Sequence, residues 1–297
     1  MRQFEITTDS NCDLYEKEYE VLGVERGKLS YTLEENGNLQ EYLDEFSEYS
    51  EYVEFYNKLR KGGIAKTTIL NLQAHIDLFE KMAKNGVKNL LHITQSSGLS
   101  RTIDNANKAI ETVKENYPDI NYIAVDSLTT TVGEQMLVKY ACQLRDKGEK
   151  LEKVVEKIND MKGKIQHFII VGDLMYLKRG GRISGVSAAI GSMLSIKPII
   201  EFTKKGKLEI VRKEMGAKKA YKNIIDGLKN FTQNKDYFDA IIVHTDNEEQ
   251  ANVFAKMVEE ATGWRPEIRI MGPIIGAHVG PGAVALAFIS NEERKED

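Results

Sequence analysis

Short apolar runs alternate with amphipathic stretches along most of the chain. Phe4–Thr8, Val87–Thr94, Ile120–Val125, His167–Val171, Pro198–Phe202, Ala240–His244, Ile268–Met271 and Val284–Phe288 predict strands, being short and bounded by polar or glycine-bearing segments. Between them, apolar residues recur at helical spacing. Leu72, Ile76, Phe79 and Ala83 form one set, and Ile103, Ala106, Ile110, Val113 and Tyr117 a second. Val132, Met136, Tyr140 and Leu144 form a third, and Ala220, Ile224, Leu228 and Phe231 a fourth. Gly86 and Gly148 fall where helices are expected to end, because a left-handed residue closes the last turn there. Strand–helix alternation of this kind predicts an α/β fold with largely parallel sheets.

The second half departs from that rhythm. Pro198–Phe202, the polar turn Thr203–Lys207 and Leu208–Val211 predict a β-hairpin, so the second sheet is expected to be mixed. The acidic helical stretch Leu151–Met161, closed by Gly163, is the expected junction between domains 1–162 and 163–297. Residues Tyr42 to Tyr56 are acidic and tyrosine-rich, and predict an amphipathic surface helix. A smooth apolar helix is expected from Val186 to Leu194, with small residues that let a neighbour or a ligand chain approach closely.

Composition narrows the function. The 297 residues suffice for two domains at roughly 100–200 residues each. With 41% hydrophobic residues and a net charge of −4, there is no basic excess to steer the chain to nucleic acid or an anionic membrane. The best candidate for a local basic patch is Lys178-Arg179-Gly180-Gly181-Arg182. Cys12 and Cys142 stand in no metal spacing and are expected to be reduced thiols of a cytoplasmic protein. The polar Thr7-Thr8-Asp9-Ser10 comes too soon for a signal peptide, and no run approaches the roughly 18 apolar residues of a membrane span.

Common catalytic signatures are missing. There is no CxxC, HExxH or GxSxG, and no GxGxxG follows the first strand. Gly23-Val24-Glu25-Arg26-Gly27-Lys28 imitates a phosphate loop but is one residue short between its glycines. His75, His92, His167, His244 and His278 show no ligand spacing, so neither a metal nor a cofactor is expected.

The candidate chemistry lies in turns at strand C-termini, where open α/β sheets bind ligands. Thr94-Gln95-Ser96-Ser97-Gly98-Leu99-Ser100 runs from a strand into a helix expected near Ser100. It offers hydroxyls, backbone N–H groups and the positive end of a helix dipole, which suit a carboxylate or phosphate. Lys66-Thr67-Thr68 precedes another helix, and either threonine can cap it or add a hydroxyl to an anion site. Thr8-Asp9-Ser10 ends the first strand as a turn or cap. Gly276-Ala277-His278-Val279-Gly280-Pro281-Gly282 is expected to be a rigid glycine turn that holds His278.

Five motifs, in this order, resemble the DegV family of bacterial fatty-acid-binding proteins. They are Thr8-Asp9-Ser10-Asn11-Cys12-Asp13-Leu14, Ser96-Ser97-Gly98-Leu99-Ser100-Arg101-Thr102, Val125-Asp126-Ser127, the pair Tyr176–Ile183 and Ile196–Ile199, and Gly276–Gly282. The resemblance implies a two-domain α/β protein: an N-terminal three-layer α/β/α domain with a mainly parallel sheet, and a C-terminal domain with a mixed sheet. It implies one long-chain fatty acid buried between them, with its carboxylate on Thr67 and on Ser96 or Ser97 beside Gly98, and Arg182 and His278 near the exposed end. It also implies a non-catalytic role, in which a fatty acid kinase phosphorylates the bound carboxylate with ATP and the acyl phosphate feeds phospholipid synthesis. Membrane contact would then be no more than transient. Two positions depart from the family pattern: Thr67-Thr68-Ile69-Leu70-Asn71 keeps the leading threonine but not the Gln-Pro-Ser after it, and Arg101 replaces a glycine. The residues by themselves also allow a hydrolase or transferase acting on acyl or phosphoryl esters, with Ser96 or Ser97 as nucleophile and His278 as base, or a small-anion sensor.

Overall fold

The computed structural model describes residues 2–183, 196–228, 231 and 240–295. In chain order the first half runs β1 (Glu5–Asp9), α1 (Glu16–Leu22), β2 (Val24–Gly27), β3 (Ser30–Glu35), β4 (Asn38–Leu43), α2 (Tyr49–Arg60), β5 (Ile64–Thr67), α3 (Leu72–Lys84), β6 (Asn89–Thr94), α4 (Thr102–Asn116), β7 (Asn121–Asp126), α5 (Val132–Asp146) and α6 (Leu151–Lys162). The second half runs β8 (Ile165–Ile170), α7 (Leu174–Arg179), β9 (Ile196–Phe202), β10 (Leu208–Met215), α8 (Ala217–Leu228), β11 (Ile241–His244), α9 (Glu248–Thr262), β12 (Glu267–Ile270), α10 (Pro273–Val279) and β13 (Val284–Ile289).

Two main sheets result. The first has the order β2-β1-β6-β7 with every pairing parallel. The second has the order β10-β9-β8-β13-β11-β12 and is mixed, with the expected β9–β10 hairpin at its edge. The central strands are covered on both faces, which is why β13 reads as an unbroken apolar run and β6 is buried from Leu90 to Thr94, His92 included. Edge strand β10 shows strict alternation of half-buried and exposed positions instead. The fold is therefore a two-domain α/β architecture with one parallel and one mixed sheet.

The two halves share a core. Ile6, Leu91 and Ile93 of the first sheet pack in one apolar cluster with Ile165, Ala285 and Ile289 of the second. Helix α5 supplies much of the shared packing, with Val132, Met136, Leu137 and Ala141 fully buried, and it touches β1, β6 and β13. Polar ties cross the same boundary. Arg269 on β12 forms ion pairs with Glu18 on α1, Tyr56 donates to the Met271 carbonyl at 2.7 Å, and Arg294 donates to the Leu128 carbonyl at 2.6 Å.

Three expectations need correction or bounding. The stretch Tyr42 to Tyr56 is not one surface helix. Its first residues belong to β4, part of a three-stranded antiparallel sheet of order β4-β3-β5, and the helix begins at Tyr49. The turn is Asn36-Gly37, both with positive φ (51° and 81°), the pairing that a two-residue hairpin turn demands. From Tyr49 onward the helix is amphipathic as expected: Tyr52, Phe55 and Tyr56 are buried, and Phe55 meets Tyr31 edge-on with ring centres 5.3 Å apart. His278 sits in the last turn of helix α10, which Pro273 opens, and the turn proper is confined to Gly280 and Gly282 with φ of 74° and 86°. The helix expected over Val186 to Leu194 lies outside the described residues.

Candidate functional site

Strand β5 ends at Thr67, and α10 packs beside it. That contact brings residues 211 apart in sequence together: Thr67 Oγ1 and His278 Nε2 are 2.7 Å apart. Helix α7 abuts α10 from the other side. At its end, a Cβ on Gly180 would collide with His278 Nδ1, so only glycine admits the ring. Gly181 then takes a left-handed turn (φ 69°) and leads to Arg182. The Arg182 guanidinium donates through Nε to the Leu99 carbonyl at 3.2 Å and through Nη1 to the Gly180 carbonyl. Burial, aided by the Arg182 charge, holds the His278 imidazolium off and lowers its pKa from 6.5 to about 4. His278 is therefore a neutral imidazole at physiological pH.

The loop after β6 does not cradle an anion with its own amides. Ser96 N–H donates to the Thr129 carbonyl at 2.7 Å, Ser97 N–H to Asp126 Oδ1 at 3.1 Å, and Gly98 N–H to Ser96 Oγ at 3.1 Å. Leu99 and Ser100 N–H both donate to the Ser96 carbonyl at 3.0 Å. Ser96 Oγ donates in turn to the Gly206 carbonyl at 2.8 Å, which joins the loop to the β9–β10 turn. Gly98 makes that joint possible, since a Cβ there would come 2.5 Å from the Gly206 carbonyl oxygen. Ser97 is exposed, and α4 starts at Thr102 rather than at Ser100. Ser100 is buried, with its hydroxyl 3.0 Å from that of Thr102.

Between the two main sheets lies a cavity of about 60 Å³. Its walls are mostly apolar. Leu29, Ile69 and Leu99 come from the first half, and Ile169, Leu177, Phe202, Leu208, Val243, Ile274 and Val279 from the second. Thr67, Thr68, Gln95, Ser100, Arg182 and His278 supply one set of polar lining. The other set is Thr130, Thr131 and His167, which are tied to Asn11, Asp13 and Thr129 respectively.

Of the residues singled out from the sequence, Thr67, Arg182 and His278 meet at the cavity wall. Ser96 and Gly98 stand behind it and shape the loop, and Ser97 faces outward. Gln95 and Ser100 occupy the lining instead. Both lie in the same seven-residue loop, so the segment was legible while the inward-facing members were not. Nothing in the sequence pointed to His167. Arg101 is 86% exposed and pairs with Asp104 at 2.8 Å, away from the wall. Among the described residues, no helix is long and apolar enough to cross a membrane.

Comparison with known proteins agrees with this architecture. A profile of the family described as "Uncharacterised protein, DegV family" matches residues 3–291. A DegV domain-containing protein of Clostridium perfringens is 33% identical over 292 residues, which covers 98% of this chain and 99% of that protein. A crystal structure of a DegV lipid binding protein from Thermotoga maritima superimposes with a TM-score of 0.82 at 26% identity, covering 99% of this chain and 100% of that one. A fatty acid binding DegV family protein from Streptococcus agalactiae gives a TM-score of 0.79 at 26% identity, with the same coverage.

Proposed function

The chain belongs to the DegV family, and from that premise we propose that it binds one long-chain fatty acid in the cavity between its sheets, with the carboxylate against Thr67. The observation that carries this reading is the meeting of Thr67, His278 and Arg182 on the wall of an otherwise apolar cavity. The binding of lipid or fatty acid by the similar proteins supports it.

The energetics divide between tail and head. Burying an acyl chain gains roughly 0.8 kcal/mol per methylene, or about 12 kcal/mol gross for about fifteen, before association and ordering costs. A carboxylate buried without donors would forfeit much of that. We assign the imidazole proton to His278 Nε2, donating to Thr67 Oγ1, which leaves the Thr67 O–H free to donate to the ligand. Ser100, Gln95 and the remaining N–H groups of Arg182 complete the donor set. The role of Ser96 is then to hold the loop in place rather than to touch the ligand.

Binding without catalysis fits the same residues. A base serves best with a pKa near the working pH, and His278 at about 4 is far from it. Its ring also pairs with Thr67 and with neither Ser96 nor Ser97. In this reading the protein presents its ligand to a fatty acid kinase, which forms the acyl phosphate with ATP for phospholipid synthesis. Ile69 and Leu72, exposed just beyond Thr67 and Thr68, suit a protein contact there. The buried thiols of Cys12 and Cys142 suit the reducing cytoplasm.

Displacement of a fluorescent fatty acid tests the proposal. Long-chain fatty acids should displace it, and short-chain carboxylates at equal concentration should not. Equal displacement by both would reject the lipid reading in favour of a small-anion site. Hydrolysis of an acyl ester that is lost on Ser96→Ala would favour an enzyme.

A further inference from the structure

Behind the Gln95–Ser100 loop, three buried side chains direct unpaired atoms at one point. Asp9 ends β1, His75 lies in the first turn of α3, and His92 lies on β6. Asp9 Oδ1 stands 3.6 Å from His92 Nε2 and 4.0 Å from His75 Nε2, and the three side chains are completely shielded from solvent. All three atoms lie within 4.8 Å of one another, and none has a hydrogen-bond partner. We propose that they bind a divalent first-row transition-metal ion, zinc by the nature of the donors, through Asp9 Oδ1, His75 Nε2 and His92 Nε2.

The remaining atoms of these groups are arranged as such a site requires. His75 Nδ1 is 3.0 Å from the Asn71 carbonyl, which only accepts, so the proton sits on Nδ1 and the Nε2 lone pair faces the centre. His92 Nδ1 is 2.9 Å from Thr7 Oγ1, a hydroxyl that can accept in the same way. Metal-bound histidines are oriented by such partners on the far nitrogen. Asp9 Oδ2 accepts from Gln95 N–H at 3.3 Å, which leaves Oδ1 free.

Electrostatics point the same way. The three donor atoms have no cation beside them among the described residues. Asp9 has no other ion-pair partner among the described residues. Glu134, a second buried carboxyl nearby, bonds only to the neutral groups Thr8 and Asn11. A dication supplies the charge that this region lacks.

Zinc–nitrogen and zinc–oxygen bonds of about 2.0–2.1 Å put neighbouring donors roughly 3.3 Å apart in a tetrahedral shell. Asp9 and His92 are close to that separation, and His75 completes the shell by swinging inward. A water molecule takes the fourth position. The ion would join β1, β6 and the start of α3, the elements that carry Gln95 and follow Thr67, and so fix the two sides of the polar wall relative to each other.

The test uses the full chain, untagged, stripped with a chelator and then dialysed against zinc. Elemental analysis should find one equivalent of zinc per chain, and cobalt substituted for it should give the visible absorption of a tetrahedral nitrogen–oxygen site. Thr7→Val, which removes only the partner of His92 Nδ1, should weaken zinc binding about 10–100-fold. His75→Ala should abolish the cobalt spectrum. Folded wild-type protein that takes up neither zinc nor cobalt stoichiometrically would overturn the proposal. So would a His75→Ala variant that retains the full equivalent.

Discussion

Replacing Thr67 by valine keeps the shape of the side chain and removes one hydroxyl. That hydroxyl lies 2.7 Å from His278 Nε2 and is the group assigned to donate to the ligand carboxylate. A hydrogen bond to a charged group contributes about 1.5–3 kcal/mol, so fatty-acid affinity should fall about 10–150-fold. A fatty alcohol of the same chain length carries no charge and should lose far less. The ratio of acid to alcohol affinity therefore isolates the head-group contact from any loosening of the wall. Competition against a fluorescent fatty acid measures both ligands on wild type and variant. Wild type should prefer the acid, and Thr67→Val should lose most of that preference. If acid and alcohol weaken alike, Thr67 shapes the cavity without meeting the carboxylate, and the assigned relay from His278 through Thr67 is wrong.

Three further outcomes follow from the geometry. His278 carries a folded pKa of about 4 against 6.5 when unfolded, so the unfolded chain binds the extra proton between those values and stability falls as pH drops from about 6.5 to 4, by about 3 kcal/mol in all. Chemical denaturation across that window should show a flatter pH dependence for His278→Gln than for wild type, and parallel curves would contradict the burial argument. Gly98→Ala puts a methyl group against the Gly206 carbonyl and should cost about 1–3 kcal/mol of stability, read as a lower midpoint in urea, whereas an unchanged midpoint would mean that the loop and the β9–β10 turn separate freely. Arg269→Leu removes the ion pair with Glu18 from a side chain only 2% exposed. Partial exposure of Glu18 keeps the expected loss near ~2 kcal/mol, below the range for fully buried pairs. Burial opposes the ionisation of Glu18, but Arg269 and Lys139 outweigh it and hold its pKa at about 2. Its stabilisation is therefore present above about 4.5 and lost as pH falls towards 2, and acid unfolding of Arg269→Leu should begin at higher pH than in wild type.

The strand–helix order was legible because buried parallel strands read as apolar runs and each covering helix as a 3.6-residue stripe. The β9–β10 hairpin was legible from the polar turn between its strands. The sheet formed by β3, β4 and β5 was not. Glutamates on its outer face mask the alternation that buries Tyr31 and Leu33, and Asn36-Gly37 was the signal that could have exposed it. Site residues were legible as motifs but not as contacts. Thr67 and His278 meet only because α10 packs beside β5, and no spacing encodes that. The Ser96–Ser100 loop looked like a set of free amides because serine and glycine are what such loops use. Its N–H groups are satisfied by Ser96, Asp126 and Thr129, whose positions depend on the neighbouring strand and turn. Asp9, His75 and His92 were invisible together for the same reason, since three elements far apart in sequence converge on them.

Native mass spectrometry of the protein after mild purification tests the central claim most directly. The account predicts a co-purifying mass equal to one long-chain fatty acid per chain, released on denaturation and restored when fatty acid is added back. Repeated preparations that arrive without such a mass, and that take up no added fatty acid, would contradict it.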